Sequence, residues 1–503
     1  MANESIDSID ENENDTKDDI IVIPAMTTLT KVVGIPSIFT TTWRGIISPL
    51  SLLRVMVAWG LFSIGVSFLS IWESFYLGQY MEASPGTLVT DAYGIAIAIG
   101  GITYVIAAIL AGVFSDSIRT PLGQRIPFMI TGAVCCGLVL LGTPTILERF
   151  QFGLIGFCLV VGVIHFFLGV AISPWNALLA DLFSKNNRAW AALINSTCSA
   201  LGFGIGLGLF EFVLNLTENP FNNTGWPFPW LLCGIFMIVF GLLSSAGLTF
   251  SKAAVNPDFR GIRLWTNIKS LYHTLRHFGG PEFGKMFWVV TIWSFCNYTF
   301  DYYLFLYITA WEFSDTMLLI ALVGLAVAAV LSAVPSGWMA AKFGKPRTGV
   351  LAGILNAIFF VTLGVLAFTT NSTYFLPFAL IVGMFGGLGI TFLTTIVVSL
   401  PADLVPEGKE GMFFGIIRLA EGIALPFAAV IAGFAVRIVN DFIFPGTQMG
   451  YPLLFIGESL VWIVSIVFLL RMNYEKQSDQ EYEIFSTRWL KEFEDAPERV
   501  KIT

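Results

Sequence analysis

Long apolar runs separated by short polar breaks dominate this chain. A bilayer crossing takes about 20 apolar residues in a helix, and on that measure twelve runs qualify. Six fall near 55–80, 91–114, 126–146, 151–183, 189–213 and 229–251. A polar link over 252–285 follows, and six more lie near 286–311, 316–341, 348–369, 375–400, 412–438 and 451–471. The pattern predicts an all-α integral membrane protein with twelve transmembrane helices in two pseudo-symmetric six-helix halves, 43–251 and 286–471. An acidic tail (1–42) precedes them, poor in large apolar groups and expected to be disordered. The basic central loop (252–285) divides them, and a charged tail (472–503) ends the chain.

Lysine and arginine fix the orientation. They gather after helices 2, 4, 6, 8 and 10: Arg119 and Arg125, Lys185 and Arg188, the cluster Arg260 to Arg276, then Lys342, Lys345 and Arg347, then Lys409. The opposite ends carry Arg149 and Arg437. This bias places the basic loops and both termini in the cytoplasm of a multi-pass cell-membrane protein. The halves also repeat. Ala180-Asp181-Leu182 recurs as Ala402-Asp403-Leu404, and 402 − 180 = 222; Arg125 and Arg347 share that offset, since 347 − 125 = 222.

Composition narrows the function classes. At 55% hydrophobic and 12% charged over 503 residues, the chain is too apolar for a soluble fold of this size. Its six cysteines all lie inside apolar runs, without disulfide or zinc spacing, and read as packing residues. No nucleotide-binding loop, HExxH or GxSxG appears, so neither ATP hydrolysis nor enzymatic chemistry is expected, and no cofactor, metal site or nucleic-acid surface is predicted. Asn215, Asn222 and Asn371 head weak glycosylation sequons.

Candidate chemistry rests on polar groups inside the spans, which are costly there and mark a pathway or a paired site. Helix 1 carries Glu73 beside a polar face of Ser63, Ser67, Ser70 and Ser74; a cavity wall or an outward-turned, structurally paired carboxylate both fit. On helix 7, Trp293, Asn297 and Asp301 recur every four residues, with Tyr298 and Tyr302 beside them. Aromatic faces next to amide and carboxylate groups suit sugars, whose C–H faces stack while their hydroxyls hydrogen-bond; an interfacial aromatic belt is the competing reading. Helix 11 carries Arg418 and Glu421, three apart on one face, a charge pair that holds substrate hydroxyls or stores a proton, or is purely structural. Helix 4 carries His165 mid-span, a group that titrates near neutrality or packs neutral, and Trp175 and Asn176 behind Pro174, where a proline break would turn carbonyls to a cavity. Trp293, Asn297, Tyr302, Asn176 and Arg418 are thus the candidate substrate ligands, and Glu73, Asp301, Glu421 and His165 the candidate proton carriers.

The stretch Gly112–Phe128, GVFSDSIRTPLGQRIPF, joins helices 2 and 3 and resembles the helix 2–3 loop of the major facilitator superfamily. The nearest form is that of the sucrose transporters and the glycoside–pentoside–hexuronide cation symporters, matched at Ser115, Asp116, Arg119, Gly123, Arg125, Pro127 and Phe128. Ser117, Pro121 and Gln124 stand where that group carries arginines. The resemblance implies a secondary transporter working by alternating access, with a small-molecule sugar or glycoside and a coupling cation as partners in the bilayer. A lysophospholipid or other amphiphile carrier, or a non-transporting sensor, is the alternative. The sodium-binding carboxylates of the melibiose-type members have no counterpart in helix 2, which has Asp91 only at its outer end, so a proton is the expected cation. The resemblance further implies a cytoplasmic gate of Asp116, Arg119, Arg125, Asp181, Arg188 and Asp403. In it Asp116 would dock on the start of helix 11 at Gly411-Met412, where free N–H groups attract an anion; an aspartate that caps its own loop and faces water is the competing reading.

Overall fold

The computed structural model describes residues 41–42, 45–46, 49–82, 89–118, 120, 122–150, 153–183, 185–216, 228–250, 281–313, 315–370, 374–405 and 410–472. Twelve long helices are found among them. They are α1 (Pro49–Glu82), α2 (Val89–Ser117), α3 (Ile126–Phe150), α4 (Gly153–Leu182), α5 (Lys185–Leu216) and α6 (Phe228–Phe250), followed by α7 (Pro281–Ala310), α8 (Asp315–Phe343), α9 (Lys345–Leu366), α10 (Phe375–Leu404), α11 (Glu410–Ile438) and α12 (Gly450–Leu470). Ten are long and apolar enough to cross a membrane. That count covers the described residues; of the other two, α5 and α7, which match them in length, α7 is the more polar, with Asn297, Asp301 and four tyrosines.

Helix ends differ from the sequence expectation where polar residues join a helix without breaking it. Residues 49–54, ahead of the first run expected from 55, are the first turns of α1. Pro281 opens α7 ahead of the expected start at 286, as its missing N–H allows at a helix N-terminus. Pro174 does not break α4, which runs through it to Leu182; neighbouring helices re-satisfy the backbone in lipid. The acidic tail 1–40, residues 251–280 of the central loop, the tail from 473 and the sequon segments beyond Leu216 and at 371–373 lie outside the described residues, as do the side chains of Glu73, Ser74, Asp91 and Arg119.

Within the first half α1 packs on α5 and α6, α2 on α4, and α3 on α4 and α6. Within the second half α7 packs on α11 and α12, α8 on α10, and α9 on α10 and α12. Each pair in one half has its counterpart six helices later. Between the halves α2 packs on α11 and α5 on α8, again a symmetric pair, flanked by α4 on α11 and α5 on α10. The duplicated halves expected from the repeated motif are therefore present in the packing itself.

The α2–α11 seam is antiparallel and built on small residues. Gly112 faces Gly411, Gly415 faces Ala108 and Ile109, and Gly422 faces Gly101 and Val105. A side chain at Gly112 or Gly411 would collide with backbone of the other helix. In lipid such residues let helices approach closely enough for dispersion contacts to hold them.

Candidate functional site

At the basic end of the bundle, two ionic clusters join the halves. In the first, the buried guanidinium of Arg125, just before α3, sits among three carboxylates. Its Nη1 donates to Asp116 of α2, its Nε to Asp181 of α4 at 2.9 Å, and its Nη2 to Glu410 of α11 at 3.4 Å; Nη1 also reaches the Ser115 hydroxyl at 2.7 Å. Asp116 in turn accepts the N–H groups of Gly411 at 3.0 Å and Met412 at 2.8 Å, the free donors that open α11. The Ser173 hydroxyl donates to the Gly411 carbonyl at 3.2 Å. Gly123, two residues before Arg125, has φ +99°, a left-handed conformation that turns the loop so that Arg125 points inward.

The second cluster inverts the charges. Asp403 of α10 accepts from Lys345 of α9 and, at 3.2 Å, from Arg188 of α5. Arg188 also donates to the carbonyls of Ala180 and Phe183 at the end of α4, and to Ala402 at the end of α10. Its charge thus lies between two helix C-termini, where the dipoles favour a cation. One correction to the repeat follows. Arg347, aligned with Arg125 by the offset of 222, is exposed, and Lys345 makes the equivalent pair with the second-half aspartate. The second loop is shorter, and its left-handed glycine, Gly344 at φ +91°, immediately precedes Lys345.

Deeper in the seam, Arg418 and Glu421 of α11 form a close charge pair, and the Tyr104 hydroxyl of α2 lies 3.4 Å from the Glu421 carboxylate. Tyr298 of α7 faces the same group, within electrostatic range of Arg418, Glu421, Tyr104 and Asp301. Its ring stacks on Tyr302 with centroids 6.1 Å apart and planes within 9°. Tyr298 thus stands between Arg418 and Glu421 on one hand and Asp301 and Tyr302 of its own helix on the other, with Asn297 one position before it and partly exposed. Tyr104 was not read from the sequence, since a tyrosine among the alanines of α2 gives no signal of its own.

Other candidates lie elsewhere. Trp293 does not line the seam: it is buried, donates to the Ser465 hydroxyl of α12 at 2.8 Å and stacks on Trp462. Residues four apart in a helix drift by about 40° at 3.6 residues per turn, so over the eight residues to Asp301 the supposed face swings away from Trp293. Trp175 is likewise occupied, since it and Trp59 of α1 exchange indole N–H to carbonyl bonds at 2.8 and 2.9 Å. His165 is buried between α4 and α2, against Gly100, with Nδ1 3.0 Å from the Val161 carbonyl. Asn176 is fully buried, and neither of its amide atoms makes a hydrogen bond.

Two polar features were missed. Ser196 and Ser199 of α5, with Thr391 and Thr394 of α10 and Leu325 and Ala329 of α8, line a small, partly open cleft between the halves, of about 30 Å³. Glu458, the only charged residue of α12, is buried in the second half. A lone ionisable residue within an apolar span is itself a signal.

The family model of the Major Facilitator Superfamily matches residues 50–429, and the chain belongs to that family. Its members are membrane transporters and not enzymes. Among solved structures the chain is similar to the proton:xylose symporter XylE bound to 6-bromo-6-deoxy-D-glucose, at 14% identity and TM-score 0.63, over 83% of this chain and 95% of that one. It is also similar to the human organic anion transporter MFSD10 (TETRAN), at 16% identity and TM-score 0.56, over 83% and 98%. A third is a bacterial homologue of the iron transporter ferroportin in an outward-facing state, at 12% identity and TM-score 0.61, over 84% and 99%. At these identities the likeness is one of fold. No curated protein sequence matches the chain.

Proposed function

We propose that this transporter works by alternating access and carries a sugar or glycoside together with a proton. The observation that carries the reading is the charge group Arg418–Glu421 with Tyr104 and Tyr298, at the seam where both halves meet. A buried ion pair holds its place only while both charges are matched, and losing one partner leaves the other unpaired at a cost of about 3–5 kcal/mol. Protonating Glu421 would release Arg418 to donate to substrate hydroxyls. Asn297, Tyr302 and Asp301 of α7 would complete a site in which rings stack on the sugar and amide and carboxylate orient it. The symport named for XylE is in keeping with this class of cargo; the organic anion and iron carriers on the same fold make the cargo the part to test.

The two ionic clusters are proposed as the gate. Asp116, Arg125, Asp181, Arg188 and Asp403 join the halves only while the basic end is closed, and on this reading the basic end is the cytoplasmic one. Glu73 and Arg119 keep their proposed parts in coupling and gating.

The test is uptake by proteoliposomes against a panel of labelled sugars, glycosides and lysophospholipids, with and without an imposed pH gradient. Accumulation of a sugar that follows the gradient, and fails in Glu421→Gln while exchange survives, is the expected result. Uptake of lysophospholipid and no sugar, or accumulation indifferent to the gradient, would overturn it.

A further inference from the structure

Glu458 has no part in the seam. Its side chain projects from α12 into the packed core of the second half and is 97% withdrawn from the surface, at 3% relative exposure. Neither carboxyl oxygen makes a hydrogen bond within 3.5 Å, although the Thr299 hydroxyl of α7 lies close enough to interact with the carboxyl. One turn on, the indole N–H of Trp462 is also buried and also unbonded. Around them stand Cys296 and Thr299 of α7, the Thr299 hydroxyl donating to the Phe295 carbonyl at 3.0 Å, and the rings of Trp293 and Phe360 against Trp462.

An ionised carboxylate in that place would need a counter-charge. Among the described residues no lysine, arginine or histidine forms an ion pair with Glu458, and no three His, Cys, Asp or Glu side chains gather to hold a metal ion. Cys296 is the titratable group facing it from α7. Where α9 meets α12, Gly349, Gly353 and Gly364 face Leu469, Ile466 and Ile456, which carry no charge. On α11, Arg418 and Glu421 are engaged with each other and with Tyr104. Desolvating a bare carboxylate costs several kcal/mol even after relaxation, whereas binding one proton removes the charge altogether. A metal cation is the poorer occupant, because the nearest unbonded group besides the carboxyl is an N–H donor, which repels cations and seeks an acceptor.

We propose that Glu458 is a proton-binding site of this chain, behind α7 and separate from the Arg418–Glu421 group. Successive helical residues turn by about 100°, so Cys296 and Thr299 lie on one side of α7 and Tyr298 on the other. The helix therefore carries the proton site on one face and the seam charges on the opposite face. Release breaks the carboxyl O–H bond, leaves the carboxylate and passes the proton to water. Water reaches the group only if α7 parts from α12, so proton release is tied to movement of α7.

Infrared spectroscopy of the full chain in lipid tests this without reference to any cargo. At neutral pH the wild type should show the carbonyl stretch of a neutral carboxylic acid that Glu458→Gln lacks. Glu458→Asp should retain such a band at a shifted position, which keeps the test open if the Gln variant does not fold. In the wild type the band should exchange in heavy water far more slowly than an exposed acid would. Loss of carboxylate bands instead of the acid band in Glu458→Gln would overturn the proposal, and so would an acid band that exchanges at once. Uptake assays can fail for every sugar while this result stands, so the two readings fall separately.

Discussion

The two halves share a backbone plan, yet at the basic end they solve the same problem with opposite charges. In the first cluster one cation, Arg125, is surrounded by three acids. In the second one acid, Asp403, is held by Lys345 and Arg188. The helix ends explain the inversion. Asp116 meets the N-terminus of α11, which wants an anion; Arg188 meets the C-termini of α4 and α10, which want a cation. Duplication fixes where the helices end, and the pole of the dipole presented there selects the sign of the side chain.

The largest effect should come from Arg125→Met, which leaves Asp116, Asp181 and Glu410 facing one another without a cation. Removing one partner of a buried ionic group costs about 3–5 kcal/mol, so transport should vanish and the melting temperature in detergent should fall. Lys345→Met is predicted to cost less, about 1.5–3 kcal/mol for a charged hydrogen bond, since Arg188 still holds Asp403. If the two variants melt alike, the clusters are not the unequal pair described.

Gly411→Ala is expected to cost about 1–3 kcal/mol through overpacking against the Arg125 guanidinium and the Gly112 carbonyl. It should act on the closed state alone. Cysteine accessibility at the basic end should rise while fold stability in the open state is kept, and unchanged accessibility would mean the seam yields. Asp116→Asn comes next, at about 0.3–2 kcal/mol, because an amide oxygen still accepts an N–H but no longer balances Arg125 or the dipole. Its readout is the same accessibility, with substrate affinity unmoved. The smallest effect is Arg347→Met, within about 0.5 kcal/mol as for other exposed surface positions. A large loss there would restore Arg347 as the counterpart of Arg125.

What could be read from the sequence follows from how each feature is encoded. Helix number came from apolar length, which the bilayer imposes on every span regardless of packing. The placement of Asp116 at the head of α11 was legible because the loop motif carried it. Lys345 was not, because register drawn from one aspartate motif ignores a shorter loop between Gly344 and the helix that follows. Trp293 was misplaced because a spacing of four holds a face for one turn and loses it over two. Tyr104 and the cleft hydroxyls were illegible for another reason: tyrosine, serine and threonine occur throughout such spans, and only the partner across the seam gives one of them a role.

The hydroxyl groups between α5 and α10 have a consequence for motion. Ser196 meets Thr394 at 2.8 Å and Thr395 at 3.2 Å across the seam, and Thr395 meets Ser336 of α8 at 3.0 Å. Each also has a carbonyl of its own helix in reach: Ala192 for Ser196, Thr391 for Thr394 and Thr395, Ala333 for Ser336. When the halves separate, each donor falls back on that carbonyl and none is stranded. Such a surface resists sliding only weakly at any one position and grips again at the next. The ionic clusters act as a latch at one end, and this stretch is a bearing along which the halves can turn.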